Sequence, residues 1–264
     1  MGHERLGLLP KTKPWRDIVD AVTTSADEPR LVAQIAKSVL ERVQDRFLRL
    51  AHDEATTRAF EFLIHLSIAA RKTDPKGYLV DAGLRTTDDP TPLELTGAAL
   101  NWIGATSDAE HNNLAASALI DTIGKWYRSN AEVQHDLFKS RNNFAATWHR
   151  SGDGRGFCEL AREFFSNYTE RYLKYFLDRE VTAALPNLKS RENFERNLSA
   201  HVEDISQHAF ETARITQSFS AGWFNKFARE GIPSDREISY FLSRAFGKLA
   251  SELTEEAGGQ DNGP

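Results

Sequence analysis

Residues 28–51 read EPRLVAQIAKSVLERVQDRFLRLA. The apolar positions Val32, Ile35, Ala36, Val39, Val43, Phe47 and Leu50 recur at steps of three and four, which marks one face of an α-helix. Arg30, Lys37, Glu41, Arg42, Asp45 and Arg49 fall on its other faces. The pattern predicts a surface helix with one stripe turned inward, so that other helices must cover the stripe.

The neighbouring segments repeat this period in different versions. Residues 59–70, AFEFLIHLSIAA, are apolar nearly all round, which predicts a central helix with neighbours on every side. Asp74-Pro75-Lys76-Gly77 breaks the chain, and Tyr78–Leu84 predicts a short helical turn. Thr91, Pro92 and Glu94 have the spacing of a helix start, with Thr91 as cap and Pro92 at the first position. A further helix is predicted over 108–129 and a short one over 142–149. The stretch Ser151-Gly152-Asp153-Gly154-Arg155-Gly156 then reads as a flexible connector.

Beyond that connector the composition turns aromatic. Phe157, Phe164, Phe165, Tyr168, Tyr172, Tyr175 and Phe176 lie on a helix predicted over 157–184. The longest helix is expected over 191–230, and a last one after a Ser234–Glu237 capping box. No strand pattern and no internal repeat emerges. The expected fold is all-α, a multi-helix bundle of roughly eight to ten helices. Two helical subdomains, 1–150 and 151–257, would be followed by a disordered polar tail over 258–264.

Composition bounds the function. The 264 residues carry a net charge of -5, which does not indicate a protein that coats nucleic acid non-specifically. Cys158 is the only cysteine, so no internal disulfide and no cysteine metal cluster can form. No run approaches the ~18 apolar residues of a membrane span, and Leu6–Leu9 is too short for a signal-peptide core. A cytoplasmic location and no membrane partner are therefore expected.

Several constellations could carry chemistry. Glu61 and His65 lie one helical turn apart in the most apolar segment. They are expected as a buried polar pair, because a buried carboxylate needs a partner. Arg171 and Lys174 stand among aromatics, a combination that can bind single-stranded nucleic acid, although helical spacing of the rings is first a core pattern. Arg155, beside a helix N-terminus, could help hold an anion. His201, Asp204 and His208 share a helix face, yet no second helix offers a Glu-x-x-His partner, so neither a metal nor a cofactor is expected.

Arg196-Asn197-Leu198-Ser199-Ala200-His201 resembles the Arg-polar-x-x-x-His signature of HEPN ribonucleases, which are all-helical and metal-independent. The resemblance covers six residues. It implies His201 as the acid–base group at a ribose 2′-hydroxyl and Arg196 as the stabiliser of phosphate charge. Five residues of helix place the two side chains roughly 140° apart.

No catalytic constellation stands above chance spacing, which leans away from an enzyme. The expected function is a non-catalytic helical interaction protein, an adaptor or complex subunit whose partner is another protein or a second copy of itself. Trp15, Trp148 and Trp223, near predicted element ends, are its expected contact residues, since tryptophan is enriched at interface hot spots. The metal-independent ribonuclease is one alternative and single-stranded nucleic-acid binding another.

Overall fold

Local side-chain chemistry starts most of the helices. Asp53 accepts from the amide of Thr56 at 2.8 Å and Asp74 from that of Gly77 at 2.9 Å. Thr91 and Glu94 complete a capping box, and Ser234 with Glu237 completes a second. Each such cap is worth about 1 kcal/mol. A computed structural model describes residues 17–18, 20–22, 28–104, 109–130, 144–185, 187–211, 219–228 and 231–255, with Ala109, Glu110, Arg179, Glu180 and Glu211 described by backbone alone.

From Pro29 onward the described elements are α1 (Pro29–Arg49), a 3-10 turn (Leu50–His52), α2 (Glu54–Ala69), α3 (Pro75–Asp81) and α4 (Pro92–Ile103). Then come α5 (Ala109–Asn130), α6 (Phe144–His149), a second 3-10 turn (Arg150–Gly152) and α7 (Gly154–Ala184). The chain continues through α8 (Leu188–Glu211), α9 (Phe219–Phe227) and α10 (Asp235–Glu255). Among the described residues there is no strand, and the fold is an all-α multi-helix bundle. The expected 191–230 helix is represented by α8 and α9; residues 212–218 and 229–230, like Trp15 and the tail, lie outside the described residues.

The long helix α7 lies against α5, α8 and α9, and α1 packs between α8 and α10. All seven stripe residues, six in α1 and Leu50 in the turn after it, are buried. In α2 every residue from Phe62 to Ala69 is buried, as the continuous apolar composition demands, while Thr57, Arg58 and Glu61 in its first half are not. Phe60 of α2 carries the aromatic centre. Its ring stacks on Phe241 of α10 at 4.9 Å and lies within 6 Å of Phe157, Phe164 and Phe165 of α7. Such ring pairs add about 0.5–1.5 kcal/mol each beyond the burial of their area.

The glycines of 151–156 form a packed joint where a flexible connector was expected. Ser151 and Gly152 are buried, and Asp153 caps α7 by accepting from the Gly156 amide at 2.7 Å. A Cβ on Gly152 would stand 2.6 Å from Cγ of Arg71. On Gly154 it would stand 2.5 Å from the Asn225 side chain, and on Gly156 only 1.7 Å from the carbonyl oxygen of Arg150. Gly152 and Gly154 thus allow close approach to the end of α2 and to α9, and Gly156 to the turn that precedes α7. One cluster of buried side chains, from Ile18 to Leu253, spans both sides of the joint.

For Trp148 and Trp223 the expected contact role fails for packing reasons. Trp148 is fully buried among Trp126, Tyr127 and Phe144, and Trp223 is 6% exposed against Phe60, Phe157 and Phe241. Both are core anchors and offer no contact surface.

Two glycine replacements separate close packing from simple propensity. Gly156→Ala is expected to cost more than about 2 kcal/mol, because the clash is with backbone. Gly97→Ala, where a Cβ meets nothing within 4 Å, is expected to stabilise α4 by about 0.5–1 kcal/mol. Urea unfolding midpoints test both; equal effects would contradict the packed joint.

Candidate functional site

The residues of α2 at positions 58, 61 and 65 share one side of that helix, since steps of three and four return to the same face. Onto this side α4 delivers Trp102 and α3 delivers Tyr78. The indole Nε1 of Trp102 donates to the carbonyl of Arg58 at 3.0 Å. The Arg58 guanidinium returns to the carbonyls of Trp102 and Ile103 at 3.4 Å each and also pairs with Glu54 at 2.8 Å. Helix α4 stops at Gly104, whose φ of 67° is the left-handed conformation that glycine tolerates. The reciprocal bonds lock the end of α4 onto α2.

His65 lies beneath Tyr78 and Trp102 and is 6% exposed. Its Nδ1 lies 3.0 Å from the Tyr78 hydroxyl, and its ring is 5.3 Å from that of Trp102, edge to face. Burial pushes the imidazole pKa down to about 4, so the ring is neutral near pH 7. In the neutral ring the imidazole tautomer sets the direction of this bond: Nδ1 accepts from the Tyr78 O–H when the hydrogen is on Nε2, and donates to the hydroxyl oxygen when it is on Nδ1. Burial raises the Tyr78 pKa, and the Glu61 charge raises it further. Glu61 itself is pushed up by burial and by the charge of Asp235, with Arg58 opposing.

The expected Glu61–His65 pair does not form. Among the described residues no hydrogen bond joins them, because Tyr78 supplies the partner that His65 needs. What the two residues share is one face of α2 with perturbed titratable groups, a pattern that marks candidate sites.

The other expected site residues are placed as follows. Arg196 is exposed and donates to Asn193 at 3.0 Å, whereas Nε2 of His201 is shielded from solvent. The helix separates them as its geometry requires. Arg171 grips Asp121 of α5 at 2.6 and 2.5 Å. Lys174 lies between Glu170 at 2.9 Å and Glu195 of α8 at 3.4 Å. Burial works to raise the Glu170 pKa, but the Ser199 hydroxyl and Lys174 outweigh it and hold it low. These cations join helices, and the rings beside them, Tyr168, Tyr172 and Phe176, are buried. Arg155 is largely exposed, 3.6 Å from Glu159, and the amide of Gly156 is already taken by Asp153. The N-terminus of α7 thus carries its own carboxylate in the place an anion would occupy. Among the described residues no group of three His, Cys, Asp or Glu is disposed to hold a metal.

One cluster escaped the sequence reading. His111 of α5 lies 3.0 Å from Asp53, whose other oxygen caps α2, and Thr56 lies 2.7 Å from the Tyr168 hydroxyl. Asp53 and His111 stand 58 residues apart, so spacing gives no signal for the pair.

The buried imidazole sets a pH dependence. Its folded pKa lies below the unfolded value of about 6.5, so its contribution is complete above pH 6.5 and is lost as pH falls towards 4. His65→Phe should flatten the decline of the urea midpoint between pH 6.5 and 4.5 relative to the parent; equal slopes would contradict a neutral buried His65. No protein-family model, curated protein or solved structure matches the chain.

Proposed function

We propose that the chain is a non-catalytic helical interaction protein, an adaptor or complex subunit that receives a short amphipathic helix of another protein on the outer face of α4. The observation that carries this reading is the exposure of Leu93, at 81%, and Leu100, at 49%, on one face of a helix whose other side is packed. The two leucines stand seven residues apart with Gly97 between them, so the three align along two helical turns.

The chemistry of that face favours a helical guest. α4 contains no lysine or arginine, and its one acid, Glu94, is turned back onto Thr91 at 2.8 Å. Gly97 leaves open space above the backbone, which allows a second helix to approach closely. Two leucines are a small patch compared with the ~800 Å² per partner of a stable dimer. Size therefore favours a short inserted segment, read through a few apolar anchors, over a second copy of this chain.

The test places a photo-crosslinking residue at Leu100 and, as a control on another helix, at Tyr240, in cells. The reading expects a crosslink from position 100 to a helical segment of one other protein, lost on Leu93→Asp while the thermal midpoint is kept. No crosslink, or a crosslink to a second copy, overturns it. RNA incubated with the protein in chelator should stay intact; cleavage abolished by His201→Ala would overturn the non-catalytic reading.

A further inference from the structure

We draw no further inference here: the strongest candidate, the cavity of about 300 Å³ that Asp17, Ile18 and Ala21 form with Leu31, Ile35 and Arg42 of α1, carries nothing because charges of both signs line it and nothing in the structure shows what covers it.

Discussion

Phe60 is the side chain on which the bundle converges. It projects from a helix that is apolar nearly all round, and such a helix is stable only when every side is covered. The covers are α7 through Phe157, Phe164 and Phe165, α9 through Trp223, and α10 through Phe241. Removing one large buried ring from a centre of this kind costs about 3–5 kcal/mol, which rivals the whole stability of a marginal domain. The remaining helices pack onto this centre: α1 reaches it through Phe47 and Phe246, and α5 lies along α7.

The demand for cover also explains the glycine joint. α7 must start beside α9 and the end of α2: a side chain at 152 would meet Arg71, one at 154 would meet Asn225, and one at 156 would meet the Arg150 backbone of the turn that leads into α7. The same central helix that seals the core on one side carries Arg58, Glu61 and His65 on another. α2 therefore fixes His65, while α3 brings Tyr78 and α4 brings Trp102 against it. Site and core are two faces of one element, so the site inherits its geometry from the packing beneath it.

Much of the architecture was legible because it is local. The α1 stripe, the continuous burial of α2 from Phe62 to Ala69, the caps at Thr91 and Ser234 and the inward rings of α7 each follow from residues within one or two turns of each other. What stayed hidden depends on partners distant in sequence. Glycine serves flexibility and close approach alike, and only the neighbours Ala221 and Asn225 decide the case at Gly154. Glu61 and His65 have the right spacing for a pair, but Tyr78 competes for the imidazole. Arg171 and Lys174 look like free cations until Asp121 and Glu195, 50 and 21 residues away, are brought alongside. Trp148, near the end of α6, and Trp223, in the middle of α9, are both swallowed by the core.

The central claim is that one continuous aromatic core, with no break at residues 151–156, holds the described helices together as a cooperative unit. Native-state hydrogen exchange over a urea series tests it most directly, because it resolves the opening free energy of each helix. The account predicts that the slowest amides of α2, α5, α7 and α10 share a single opening free energy and a single urea dependence. Amides of α5 that open in a separate, less stable transition than those of α10 would contradict it.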